Sequence, residues 1–253
     1  MNEANQITNT TRLYGFIAEE AQQNRFAVTL NKRFKAEGDD AMMIPMNIRP
    51  DDFYFTLSNM KQSHVNGAVI GFEYQEQALE IVDSASGLCE TCGICDTVTV
   101  EAGSMHGELL LPKALATMVE KSRASKIAVI GATPLAGALA LSMREKHVAF
   151  FDPWIEELMK LQDRLGIELD INRLAEGMAV DLSAYDMLID LSGMNDLSMA
   201  AALPKLNVDL KQPRQASALR QRCTELDRPY SGYESLLDIM TETVYTYWTK
   251  EKR

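Results

Sequence analysis

Three cysteines at three-residue spacing, Cys89, Cys92 and Cys95, are the densest group of reactive side chains in the sequence. Thiolates spaced this way can wrap a metal ion or part of an iron–sulfur cluster. A fourth ligand is then required, and Cys223, Asp96 or His106 could supply it. No fourth cysteine followed by proline completes a ferredoxin-type run, so no metal is assigned to the set. Buried small residues are the plainer reading, and a redox-sensitive dithiol is another.

A second group carries a different chemistry. Gly131 to Gly137 (GATPLAG) follows the apolar run KIAVI and precedes a helical pattern, and a second apolar run then ends at Asp152. Strand, tight glycine turn, helix, strand and acid make one βαβ unit of a dinucleotide-binding sheet. The first glycine makes the turn, the second lets backbone approach a pyrophosphate, and the third lets helix pack on strand. Gly131 and Gly137 fill the first and third roles, whereas Thr133 holds the second. Asp152 lies twenty-one positions beyond Gly131, where a carboxylate binds ribose hydroxyls and repels a 2′-phosphate. The expected cofactor residues are Gly131, Ala132, Thr133, Gly137, Asp152 and Ser192, with NAD favoured over NADP. Thr133-Pro134 opposes this, because a threonine Cβ crowds the pyrophosphate and proline removes a donor. A Rossmann-shaped domain that holds no cofactor is the competing expectation.

The elements that must position these residues alternate along the whole chain. Strands are expected over 12–16, 41–48, 67–72, 94–101, 126–130, 148–151, 187–191 and 207–210. The proline inside 41–48 marks a broken or edge strand. Helices are expected over 26–37, stopped by Gly38, and over 50–63, opened by Pro50. Others follow over 75–82, 110–122, 135–146, 154–165 and 232–248. The fold class is α/β, with an N-terminal α/β domain over 1–111, a Rossmann-like domain over 112–230, and a C-terminal helix within 231–253 returning to the first domain.

This order resembles the shikimate dehydrogenase family. Tyr14-Gly15 resembles its opening strand, and Asn31 to Gly38 (NKRFKAEG) its first helix. Gly67 to Glu76 (GAVIGFEYQE) resembles G-x-N-V-T-x-P-x-K-E, Gly93 to Val98 (GICDTV) resembles G-A-x-N-T-V, and Gly232 to Leu237 (GYESLL) resembles G-x-x-M-L-V. The resemblance implies a substrate domain, a nicotinamide dinucleotide domain, and a ligand in the cleft between them. It places the family's lysine on Gln75 and its aspartate on Leu111, so the usual acid/base pair is missing. The paired serines fall on Asn24 and Phe26, and the second asparagine on Asp96 beside a retained Thr97. Glutamine is no base near neutral pH and leucine moves no proton. The expected catalytic residues are therefore Asp96 as base and Gln75 as orienting group. Asn24, Thr97 and Tyr233 are the expected substrate ligands, for a substrate other than shikimate or quinate.

Bulk properties narrow the classes further. The 253 residues carry 25 Lys and Arg against 36 Asp and Glu, a net charge of −11, with 46% hydrophobic residues. Such a balance argues against nucleic acid or an anionic membrane as partner. No run approaches the roughly 20 apolar residues of a membrane span, and the polar start MNEANQITNTTR has no secretory core. A cytoplasmic monomer or homodimer that binds a small molecule is expected. His64, His106 and His147 are scattered, and nothing resembles a Ser-His-Asp arrangement. Three function classes stay open: an NAD-linked oxidoreductase, a catalytically inactive relative that senses a ligand or binds a partner, and a metal or redox protein built on the cysteines.

Overall fold

A computed structural model describes residues 8–250. The chain divides into two compact units, Met1–Leu110 with Met240–Arg253, and Leu111–Ile239.

In the first unit the chain order is β1 (Arg12–Ala18), α1 (Phe26–Glu37), β2 (Ala41–Asn47), α2 (Pro50–Asn59), β3 (Val65–Ile70), α3 (Gln75–Ile81), β4 (Ser84–Ala85), α4 (Gly87–Cys92), β5 (Thr97–Glu101) and β6 (Ser104–Glu108). The sheet order is β2-β1-β3-β5-β6-β4. Strands β1, β2 and β3 run parallel, and β5 turns antiparallel against β3. Gly38 ends α1 in the left-handed region at φ 74°, and Pro50 opens α2 at its first turn. Pro45 is tolerated because β2 is the sheet edge, paired to β1 alone. Ala102 and Gly103 join β5 to β6, with φ values of 49° and 79°. Alanine in that region is disfavoured, and glycine is not.

In the second unit α5 (Leu111–Ser122) leads into β7 (Lys126–Ile130), α6 (Pro134–Ser142), β8 (His147–Asp152), α7 (Ile155–Leu165), β9 (Asp170–Arg173), β10 (Val180–Asp181), β11 (Met187–Asp190), β12 (Ala200–Ala202), β13 (Leu206–Asp209) and α8 (Ala218–Glu225). A five-stranded sheet of order β13-β11-β7-β8-β9 is parallel throughout. This is the α/β arrangement that apolar strands alternating with helices require, because a parallel sheet must be covered on both faces. Helix α6 (PLAGALALS) is apolar nearly all round and buried over 135–140. One face of the sheet packs Ala128, Ile130, Phe151 and Leu188 against Leu174, Leu197 and Leu219. Each fully buried leucine contributes about 1.5–3 kcal/mol by leaving water.

Two expectations need correction. The strand expected over 94–101 begins only at Thr97: the Cys95 N–H is drawn off to the Gln75 carbonyl, while Asp96 meets the strand ends through the Glu108 carbonyl and the Ile70 N–H. The helix expected over 232–248 is split into a 3-10 turn, Tyr233–Ser235, and α9 (Leu237–Lys250). Residues 231–239 cluster with the second unit rather than the first. Backbone bonds explain this, because Ser231 N–H donates to the Asn207 carbonyl and Tyr233 N–H to that of Lys211. The end of α9 packs in the first unit, where Trp248 stacks on Tyr14 with ring centroids 4.1 Å apart.

Candidate active site

The glycine turn is built from three separate constraints. Gly131 sits at φ 112°, and a Cβ there would lie 2.8 Å from the Ser192 backbone. Its glycine is therefore required by close approach of the loop after β11. Gly137 faces α7, with a Cβ position 2.8 Å from Leu161 Cδ1, which is the helix-packing role. Thr133 is the N-cap of α6, and its hydroxyl accepts the Ala136 N–H at 3.2 Å. The residue that breaks the glycine pattern thus starts the helix.

Asp152 ends β8 and is buried. Its carboxylate accepts the Ala132 N–H at 3.0 Å through Oδ2 and the Trp154 N–H at 2.9 Å through Oδ1. The acid is thereby fixed against the turn where a ribose would lie. A dinucleotide fits this turn in part. Ala132 N–H is engaged by Asp152, Pro134 has none, and Ala136 N–H is engaged by Thr133. Thr133 N–H and Leu135 N–H have no acceptor among the described residues and are the donors left for a pyrophosphate.

Sequence reasoning missed a recurring device at this sheet edge. Asp190 ends β11 and accepts the Ser192 N–H at 3.0 Å and the Ser192 hydroxyl at 2.6 Å. Asp209 ends β13 and accepts the Lys211 N–H at 2.9 Å, the Tyr230 hydroxyl at 2.7 Å and the Ser217 hydroxyl at 2.5 Å. Asp152, Asp190 and Asp209 therefore each turn their chain by holding the N–H two residues on. The signal was an aspartate closing each apolar run, in FFD, LID and NVD. Burial raises the Asp190 carboxyl above its ordinary range, opposed by its bonds to Ser192.

The first unit brings Gln75, Asp96 and Thr97 together. Gln75 opens α3, is 5% exposed, and its backbone carbonyl accepts the Cys95 N–H at 2.9 Å. The Asp96 carboxylate is 1% exposed and accepts the Thr97 hydroxyl at 2.8 Å and the Leu110 N–H at 2.9 and 3.0 Å. Asn24 precedes α1, where its side-chain oxygen accepts the Phe26 N–H at 2.8 Å. Tyr233 is buried in the 3-10 turn of the second unit. Leu111 is buried at the first turn of α5.

Among the described residues, no group of three or more His, Cys, Asp or Glu side chains is placed to hold an ion. All four cysteines are buried, and none is in a disulfide. The Cys95 thiol donates to the Thr97 carbonyl at 3.3 Å, and Cys95 and Cys89 share a side-chain hydrogen bond. That bond lowers the Cys89 thiol and, with burial, raises the Cys95 thiol.

No family model matches the chain. The shikimate dehydrogenase (NADP(+)) of Thermococcus kodakarensis is 26% identical over 207 residues, covering 79% of this chain and 75% of the relative. The structure of Thermus thermophilus shikimate 5-dehydrogenase in complex with NADP(H) and shikimate matches with a TM-score of 0.77 at 15% identity, covering 95% of this chain and 94% of that one. The ligand-free 5-ketofructose reductase of a Gluconobacter species matches with a TM-score of 0.75 at 14% identity, covering 96% and 94%. On sequence and fold together, this chain is similar to shikimate dehydrogenases.

Proposed function

We propose that this protein is a nicotinamide-dinucleotide-linked oxidoreductase that prefers NAD and acts on a small hydroxylated substrate other than shikimate. The observation that carries the reading is Asp152, a buried carboxylate locked to the glycine turn through Ala132. A charge held there favours ribose hydroxyls and opposes a 2′-phosphate. Gly131, Ala132, Thr133, Gly137, Asp152 and Ser192 are the residues that hold the dinucleotide.

When bound, the nicotinamide supplies the hydride acceptor. The chain's own part is proton transfer and orientation. Asp96 takes the proton of the substrate hydroxyl, Thr97 orients that carboxylate, and Gln75 fixes the substrate by hydrogen bonding. Asn24 and Tyr233 are further substrate ligands. Without the family's lysine and aspartate, turnover of shikimate falls by about 10²–10⁴-fold, the range of general acid/base assistance. The 5-ketofructose reductase match supports a different substrate, since one fold there serves another small hydroxylated carbonyl compound.

Thr133-Pro134 favours a second reading, a relative that binds ligand without turnover, because the turn keeps few amides for a pyrophosphate. Calorimetry with NAD and NADP, followed by NAD reduction with a panel of hydroxy acids and polyols, separates the two. The first reading expects NAD to bind at least tenfold tighter than NADP, and some panel member to be oxidised. Binding without turnover supports the second, and no dinucleotide binding at millimolar concentration removes the oxidoreductase reading.

A further inference from the structure

The five-stranded sheet reverses its order between β7 and β11. From β7 the chain steps outward to β8 and β9 on one side, then returns to β11 and β13 on the other. Open α/β sheets bind ligands outside the carboxyl ends of their strands at such a reversal. Asp152 stands on the β8 side of it and Asp190 on the β11 side. Asp190 is tied to the same glycine turn. Leu191 N–H donates to the Ile130 carbonyl at 2.8 Å, and the Ser192 nitrogen that Asp190 holds would lie 2.8 Å from a Cβ on Gly131.

The aspartates at these strand ends differ in what they leave unbonded. Asp152 accepts one N–H on each oxygen. Asp209 accepts the Lys211 N–H and the Tyr230 hydroxyl on Oδ1 and the Ser217 hydroxyl on Oδ2. Asp190 takes both Ser192 groups on Oδ1 alone. Its Oδ2 has no hydrogen-bond partner among the described residues, and it is not one of the sealed polar atoms that lack one. Oδ2 therefore still reaches the surface, although Asp190 as a whole is only 8% exposed. A carboxylate oxygen so far out of water is unfavourable unless a donor or a positive charge meets it.

The protein's own charges do not neutralise it. No ion pair reaches Asp190 among the described residues. Asp209, its register neighbour on β13, acts on it more strongly than Lys211, the one cation that does. The Arg220 guanidinium lies over the Tyr230 ring and bonds its hydroxyl, so it bears on Asp209 through Tyr230. We propose that Asp190 is a specificity-determining residue that selects the oxidised dinucleotide over the reduced one. The inference rests on the dinucleotide reading above. A dinucleotide whose adenosine ribose meets Asp152 and whose pyrophosphate meets the turn carries its other nucleoside toward β11. The nicotinamide ring is a cation when oxidised and neutral when reduced. A mostly buried carboxylate beside it attracts the first and not the second, in surroundings less polar than water. NAD is thereby held for the hydroxyl substrate, and NADH is released.

Calorimetry on the full-length protein at mildly alkaline pH tests this with three ligands: NAD, NADH, and ADP-ribose, which lacks the nicotinamide. NAD is expected to bind about tenfold tighter than NADH. Asp190→Asn keeps an acceptor oxygen for Ser192 and removes the charge. It should weaken NAD about tenfold and leave NADH and ADP-ribose within about twofold. The ratio in the unmodified protein reads the same preference without any substitution, so a variant that fails to fold does not spoil the test. NADH binding as tightly as NAD overturns the proposal. Equal weakening of all three ligands also overturns it, since Asp190 would then serve only the Ser192 turn. If ADP-ribose and NADH bind and only the preference is missing, the dinucleotide reading survives; if none of the three binds, both fall.

Discussion

Asp152 Oδ2 accepts the Ala132 N–H at 3.0 Å, so the acid that would meet a ribose is also a structural part of the glycine turn. Its other oxygen accepts the Trp154 N–H at 2.9 Å. Asparagine has the same shape but only one acceptor oxygen, so Asp152→Asn turns an NH₂ toward one of the two backbone donors. It also removes the charge that opposes a 2′-phosphate. Asp152→Asn is expected to weaken NAD binding by about tenfold, or about 1.4 kcal/mol, and to leave NADP binding within about threefold of its starting value. Calorimetry with both dinucleotides checks this. An unchanged ratio of the two affinities would mean that Asp152 serves the turn alone.

Thr133 caps α6 and holds the Ala136 N–H. Thr133→Gly releases that donor toward a pyrophosphate and removes the Cβ that crowds it. Glycine is itself a fair N-cap, so stability should fall by only a few tenths of a kcal/mol. Dinucleotide affinity should rise by about threefold to tenfold, because a helix N-terminus with one more amide is a better anion site. Equal or weaker affinity in the variant would show that the turn does not contact phosphate.

The βαβ unit around this turn was legible because its signals are local. An apolar run, a glycine turn and an acid at a fixed distance need no knowledge of the rest of the chain. The same holds for Gly38 ending α1 and Pro50 opening α2. Strand β6 was not legible. Its sequence, SMHGE, has weak strand propensity, and it pairs because Met105 is buried while Gly107 lets Cys95 Sγ approach to 2.8 Å of its would-be Cβ. Helix α4 was hidden for a related reason, being six residues fixed by the Ser86 cap and by Gly93 in the left-handed region. At the candidate site, Asp152 was legible through spacing, whereas the parallel roles of Asp190 and Asp209 are not. An aspartate after an apolar run has no distinctive spacing, and only the adjacency of β11 and β13 shows that the device repeats.

Gly131 and Gly38 both have positive φ, yet they should respond very differently to alanine. A Cβ on Gly38 meets nothing within 4 Å, so Gly38→Ala carries only the conformational penalty, about 1 kcal/mol. A Cβ on Gly131 lies 2.8 Å from backbone atoms of Ser192, and backbone cannot rotate aside. Gly131→Ala is therefore expected to destabilise the protein by about 2–4 kcal/mol. Urea denaturation of the two variants makes the comparison. Equal losses would mean that close approach to the Ser192 loop is not what requires glycine.

Acid stability should be set in part by Asp186. Its carboxylate accepts the Ser125 and Lys126 N–H groups, each at 2.9 Å, and the Ser125 hydroxyl at 2.8 Å. The Lys126 and Ser125 amides pull its pKa from 3.8 down to about 2. The folded acid is thus harder to protonate than the unfolded one. Between those two values the unfolded state binds more protons, so stability falls as pH falls. The contribution is fully present above pH 4 or so and is lost by the time the pH reaches about 2. Asp190 acts in the opposite sense, because burial raises its carboxyl and protonation then favours the folded state. Asp186→Asn should lower the melting temperature at neutral pH and flatten its decline between pH 4 and pH 2. Asp190→Asn should act in a different window, removing a gain in stability on acidification that falls above the unfolded value of 3.8. Melting curves of the three proteins from neutral pH down to about pH 2 decide the matter, and parallel curves for Asp186→Asn and the unmodified chain would exclude Asp186 as a source of the acid sensitivity.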